Sequence, residues 1–218
     1  MVLPNARFRA QRRYAAAPIF IAANKADAAT ASFGIGIPTG AAPGDLMILW
    51  AFKSGSTSPW AAPAGWGAVF DAVYGGSRVA AFTRIMQPGD TTVTISAAVT
   101  TANHAQLVVC RNAMTVNASG NGWTTTNTQD VTTPSVTTTA PALVFRQAGW
   151  TGNQWIAGTT VTVPEGQIIV VDHLPTVRSN DRTMIAYSFQ EAPGPTGTVV
   201  FDAAYGQGPQ HRSTIAVA

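Results

Sequence analysis

The sequence predicts an all-β protein in which two antiparallel sheets pack into a jelly-roll-like β-sandwich behind an arginine-rich N-terminal arm. Short apolar or alternating segments recur between turns rich in Gly, Pro, Asp and Asn, and no long segment has helical periodicity. Only 11 % of the 218 residues are charged and 46 % are hydrophobic, which excludes a disordered chain. A chain of this length can form one large β domain. We therefore predict an arm over residues 1–25 and a sandwich over residues 26–218.

The predicted arm carries the net positive charge of the chain. Four arginines precede the first acidic residue: Arg7, Arg9, Arg12 and Arg13. The rest of the chain is close to neutral, so the sequence does not predict a basic surface that covers nucleic acid with the whole domain. The arginines could pair with acidic patches on another protein, contact phosphates, or remain a solvated tail. We favour docking on a protein.

The longest apolar segment predicts the central strand. It runs over residues 46–52, between a Pro-Gly-Asp turn and Lys53-Ser54-Gly55. A strand that is apolar on both faces is expected to be covered on both sides. A buried helix is the alternative, but the flanking Pro-Gly and Gly-Ser pairs favour a strand.

The other predicted strands alternate or are apolar throughout, and turn residues separate them. Gly75-Gly76 indicates a two-residue hairpin. Residues 113–141 are rich in Thr, Asn and Gly and predict a long connection with one short strand near Val136. The remaining predicted strands are 29–37, 65–74, 78–86, 91–95, 104–111, 142–147, 160–163, 167–173, 182–190, 196–201 and 211–218.

The sequence predicts no catalytic residues, no metal site and no cofactor. It contains no His-x-His, Cys-x-x-Cys or His-Glu-x-x-His pattern. Its acidic residues are scattered among turns, which does not indicate the facing carboxylates of a glycosidase. Cys110, the single cysteine, follows three apolar residues and is predicted to be a buried thiol. His104 and His173 lie at strand ends, where we expect hydrogen-bonded structural histidines, although either could titrate near neutral pH.

The tryptophans give the candidate binding residues. Trp50 and Trp66 lie in strand contexts and are predicted to be core. Exposed indoles beside amide side chains can stack on sugar rings while the amides bond the hydroxyls. The alternative is that such rings pin loops or face a neighbouring subunit. The predicted glycan-binding residues, which lie in loops rich in Gly, Asn and Ser, are Trp60, Trp123, Trp150, Asn153 and Trp155.

The order of the turn motifs resembles a known family. Pro-Gly-Asp-Leu at 43–46 is followed by Pro-Ala-Gly-Trp at 63–66, by an aromatic strand ending in a Gly-Asp turn at 82–90, and by a Thr/Val strand at 91–96. This series resembles the β-sandwich accessory proteins of tailed bacteriophages and gene-transfer particles. The resemblance implies a tail, baseplate, head-spike or capsid-decoration subunit, and it implies no catalytic residues.

The expected function is therefore structural. We expect a non-enzymatic spike, fibre or tail-type subunit that docks on a phage-like virion and contacts host surface glycan. A capsid decoration (cement) protein is the alternative, and a polysaccharide-degrading enzyme is the third. The expected partners are further copies of the chain, as a trimer or pentamer, and other virion proteins. No segment approaches the roughly 18 apolar residues of a membrane span, so we expect a virion protein that is assembled in the bacterial cytoplasm.

Overall fold

The computed structural model describes residues 16–97, 99–125, 129–151, 160–177, 181–203 and 209–218. These residues form strands and turns and contain no helix, so they also contain no helix that could span a membrane. The prediction of an all-β protein is confirmed. The strands are β1 Ile19–Ala28, β2 Ser32–Gly36, β3 Leu46–Ser54, β4 Gly67–Tyr74, β5 Ser77–Ile85, β6 Thr92–Ser96, β7 Ala102–Arg111, β8 Val116–Thr124, β9 Val131–Thr133, β10 Thr137–Thr138, β11 Ala142–Trp150, β12 Val161–Thr162, β13 Ile168–His173, β14 Arg182–Gln190, β15 Gly194–Pro195, β16 Val199–Ala203 and β17 Gln210–Val217.

Two five-stranded sheets form the body of the protein. The first has the order β1-β7-β3-β5-β4 and the second the order β13-β14-β11-β17-β8. Neighbouring strands are antiparallel in both sheets, as predicted. Apolar side chains from both sheets meet in one cluster that includes Ile48, Val108, Phe145 and Ile215. The two sheets therefore pack face to face, while the jelly-roll-like assignment stays a prediction.

Strand β3 is the central strand of the first sheet, as its apolar sequence predicts. It bonds to β5 on one side and to β7 on the other, and all nine of its residues are buried. Ile48 and Trp50 face the second sheet. Met47 and Leu49 point the other way, into a cluster covered by β2 and β6. The period of two along a strand sends alternate residues to these two cores.

The outer face of the second sheet is also covered. Ala148 and Trp150 of β11 pack beneath Val131 of β9 and Phe201 of β16. Strand β11 is consequently buried along its whole length. This cover extends the strand to Trp150, three residues beyond the predicted end at residue 147.

Two of the longer strands differ from the predicted organisation. Residues 19–25 of the predicted arm lie in β1, which pairs with β7 at the edge of the first sheet, while Arg7, Arg9, Arg12 and Arg13 lie outside the described residues. Strand β8 lies in the segment predicted as a long connection and pairs with β17. Both strands are rich in Ala, Asn, Ser or Gly, which have weak β-propensity, and both are edge strands held by one neighbour.

Candidate functional site

A cleft opens at the end of the two packed sheets, where the ends of β3, β11 and β17 meet the β4–β5 turn and the start of β5. Its volume is about 270 Å³. Its lining consists of hydroxyl side chains, one proline and glycine backbone: Ser54, Gly55, Gly75, Gly76, Ser77, Thr151 and Pro209. Gly75 and Gly76 both have positive φ, +50° and +86°, as a two-residue hairpin requires. This confirms the predicted hairpin and places its backbone in the cleft wall.

A stacked aromatic pair stands beside the cleft. The rings of Tyr74 and Trp123 lie 5.2 Å apart with an angle of 9° between their planes. The Tyr74 hydroxyl donates a hydrogen bond to Oδ1 of Asn121, and burial raises the pKa of that hydroxyl, so it stays protonated. The Trp123 ring packs on Gly75, where an added Cβ would lie 2.6 Å from the ring. The hairpin therefore sets the position of the indole at the cleft edge.

The three described tryptophans of the predicted glycan site, Trp60, Trp123 and Trp150, are not brought together. Trp123 lies at the cleft, but on β8 and not in a loop. Trp150 lies on β11, fully buried, with Nε1 donating to the Gln129 carbonyl at 3.0 Å. Trp60 is buried in the cluster beneath β2 and β6. Neither Trp60 nor Trp150 offers a face to a ligand, and Asn153 and Trp155 lie outside the described residues.

Lys53 fixes the loop that follows the cleft residues of β3. Its Nζ donates to the carbonyls of Ser58, Pro59 and Ala97 at 2.9, 3.2 and 2.7 Å. The same ammonium lies 4.5 Å from the centroid of the Trp60 ring, an attractive cation–π geometry. Burial lowers the pKa of Lys53. Trp60 thus has a structural role, in agreement with the alternative prediction that such rings pin loops.

All three histidines of the chain lie between the sheets at this end, around Phe52; we call His104, His173 and His211 with Phe52 the histidine layer. The Phe52 ring lies 4.5 Å from His104 and 4.6 Å from His211, and His104 meets the edge of His173 at 5.5 Å. Burial lowers the pKa of His104 well below its usual value and that of His211 to about 3. Burial also lowers the pKa of His173, against the opposing effect of Asp27.

The histidine prediction is right for one residue and wrong for the other. Nε2 of His173 bonds Oδ1 of Asp27 at 3.1 Å, as expected of a hydrogen-bonded strand-end histidine. Both ring nitrogens of His104 are buried without a hydrogen-bond partner. This difference arises because β7 begins two residues before His104, which places the ring inside the sheet interface.

The other core predictions are confirmed. Trp50, Trp66 and Cys110 are buried, and burial raises the pKa of the Cys110 thiol. Within the described ranges no group of three or more His, Cys, Asp or Glu side chains could hold a metal ion.

Two residues of this region are missed by sequence reasoning. Tyr74 immediately precedes the Gly75-Gly76 hairpin, and an aromatic residue at that position is a usable signal. His211 is the second residue of β17 and pairs in register with Trp123. That pairing joins residues far apart in the chain, so no local pattern indicates it. Comparison with known proteins adds no relative, since no protein family, curated protein or solved structure matches the chain.

Proposed function

We propose that this protein is a non-enzymatic accessory subunit of a bacteriophage-like particle, a jelly-roll-like sandwich whose cleft end contacts neutral glycan on the host surface. The observation that carries the proposal is the cleft beside the Tyr74–Trp123 pair. Sugars present an apolar ring face and a rim of hydroxyls. An indole beside hydroxyl and backbone groups is complementary to both.

The chemistry of the lining favours binding of an uncharged sugar. Ser54, Ser77 and Thr151 place hydroxyl groups in the lining, and the two hairpin glycines add backbone groups to it. The Thr151 hydroxyl donates to the Pro209 carbonyl at 3.1 Å and keeps its capacity to accept a hydrogen bond. A volume of about 270 Å³ lies just below the usual range of small-molecule pockets, which suits one sugar ring at a time. Hydroxyl groups and backbone amides form good hydrogen bonds to a sugar. They are poor general acids and bases near neutral pH, which supports attachment without hydrolysis.

An apolar flank favours assembly into a larger particle. Ile19 of β1, Ile168 of β13 and Phe189 of β14 are 47 %, 55 % and 43 % exposed. Ile19 and Phe189 border a groove of about 310 Å³ between the two sheets. Clustered exposed apolar side chains mark interaction surfaces. This flank supports the homo-oligomer and is the observation that favours the second candidate, a capsid decoration protein.

The first prediction concerns glycan binding. Replacing Trp123 by alanine should weaken binding to host cells and to their extracted polysaccharide about fivefold, because one aromatic contact contributes on the order of 1 kcal/mol. The measurement is a glycan array and a cell-binding titration, with the thermal midpoint recorded for each variant. Val73→Ala is the matched control, since Val73 is the exposed neighbour of Tyr74 on the same strand.

Three outcomes would count against this proposal. A folded Trp123→Ala protein that binds as tightly as wild type would remove the cleft from the attachment surface. Failure of the wild-type protein to bind any host glycan would favour the decoration role. Release of reducing ends from host polysaccharide would identify an enzyme.

A further inference from the structure

The histidine layer lies directly beneath the cleft and is joined to its walls by the chain. Phe52 is two residues before Ser54 on β3, and His211 is two residues after Pro209. Gly149, which lies against the His211 ring, is two residues before Thr151. A displacement of the histidine layer would therefore move three parts of the cleft wall.

A hydrogen-bond chain fixes His211 in its neutral form. The Trp50 indole can only donate, and it donates to Oγ of Ser213 at 3.0 Å. Ser213 donates to Oε1 of Gln147 at 3.3 Å. The Gln147 amide nitrogen then donates to Nδ1 of His211 at 3.0 Å. Nδ1 must accept that bond, so the ring proton of His211 is on Nε2.

A second proton on His211 has no place in this arrangement. It would point from Nδ1 at the amide hydrogens of Gln147. Turning the Gln147 amide would relieve that clash, but the charge would remain. Nε2 is buried without a hydrogen-bond partner and is pressed on Gly149, where an added Cβ would be 2.0 Å away. A buried, unpaired cation is strongly disfavoured.

His104 has the same difficulty, and His173 has it to a lesser extent. Burial lowers the pKa of His173 and its Nδ1 is buried without a hydrogen-bond partner, but its Nε2 bonds Asp27. Neither nitrogen of His104 has a partner, and its neighbours are the rings of Phe52 and His173. His173 is backed by the Asp27 carboxylate, which can stabilise an imidazolium. The other charged groups that act on His173 are Lys25 of β1 and Asp172, its neighbour on β13, and Arg182 of β14 pairs with Asp172. Asp181, buried just before β14, adds a further carboxyl at this end.

We propose that protonation of His104 and His211 separates the two sheets at this end and dismantles the cleft, so that glycan held at neutral pH is released in mild acid. The release of glycan rests on the proposed function, whereas the opening of the sheets does not.

The expected size of the pH effect on sheet opening follows from proton linkage. The folded-state pKa values of these histidines lie below the usual value of about 6.5, so the open form binds protons more readily. The closed form is therefore favoured above that pH, and its stability relative to the open form decreases as the pH falls below it. A histidine that titrates only in the open form raises the opening constant about 25-fold between pH 7 and pH 5, and two such histidines raise it about 600-fold.

The test is hydrogen exchange of the purified protein without ligand at pH 7 and pH 5, corrected for the intrinsic exchange rate. The probes are the amides of residues 52–55 and 210–213. Wild-type protection there should fall by at least 100-fold. In the double variant His104→Phe/His211→Asn it should fall less than fivefold. Asparagine keeps an acceptor for Gln147, and phenylalanine replaces a ring that makes no hydrogen bond. His173→Gln is the matched control and should keep the wild-type response.

Equal wild-type protection at the two pH values would overturn the proposal, as would a double variant that opens as readily as wild type. Glycan binding is measured separately on the same proteins. Opening in acid by a protein that binds no glycan at either pH would contradict the proposed function and leave the pH response standing.

Discussion

Replacing Trp150 by alanine is expected to lower the free energy of unfolding by about 3 to 5 kcal/mol, the usual range for removing a large buried aromatic side chain. The ring is fully buried between β11 and the covering strands β9 and β16. Its removal would leave a cavity beside Val131 and Phe201 and would strip the Gln129 carbonyl of its indole donor. Urea denaturation at pH 7 measures the effect.

The conservative change Trp150→Phe serves as the control. It keeps an aromatic ring in the cluster and loses the hydrogen bond, so we expect about half of the alanine effect. Glycan binding by the folded fraction should be unchanged in both variants. A loss of less than 1 kcal/mol for Trp150→Ala, or loss of binding without loss of stability, would mean that the ring is exposed at a ligand site.

The second large effect is expected at Gly149. Replacing Gly149 by alanine should destabilise the protein by about 3 kcal/mol, the upper part of the usual range for overpacking. The new Cβ would lie 2.0 Å from Nε2 of His211. The His211 ring cannot withdraw easily, because it stacks on Phe52 and bonds Gln147.

A double-mutant cycle isolates this contact. In a His211→Ala background the space is free, so adding Gly149→Ala should then lower the free energy of unfolding by less than about 1 kcal/mol. The coupling free energy between the two positions should accordingly be about 2 kcal/mol. Simple additivity of the two changes would show that the ring does not press on Gly149.

Local sequence patterns predicted those strands and turns whose burial or backbone conformation depends on consecutive residues. Strand β3 is apolar on both faces because both of its faces are covered, and the turns around it use Pro, Gly and Asp. The Gly75-Gly76 hairpin was predictable because both residues need positive φ. Strand β8 was not predictable, since its Gly and Asn residues join a sheet only through pairing with β17, which is remote in sequence.

The candidate site was only partly predictable for the same reason. The sequence marks the tryptophans as unusual, but whether each ring is covered depends on distant strands. Trp150 follows Ala148 and Gly149, residues that look like a loop, and is buried by β9 and β16. Trp123 lies at the cleft because Gly75 of another hairpin gives its ring space. The histidine layer combines residues from β3, β7, β13 and β17, which no single segment reveals.

The most direct test of the central claim is to locate the protein in purified particles from the strain that encodes it. Quantitative mass spectrometry and immunogold electron microscopy should find it in a fixed number of copies per particle, at one structural position. A variant lacking residues 1–17 keeps all of β1, so it should fold normally and yet be absent from the particles. Particles that lack the wild-type protein, while it remains in the unassembled fraction, would contradict a role as a particle subunit.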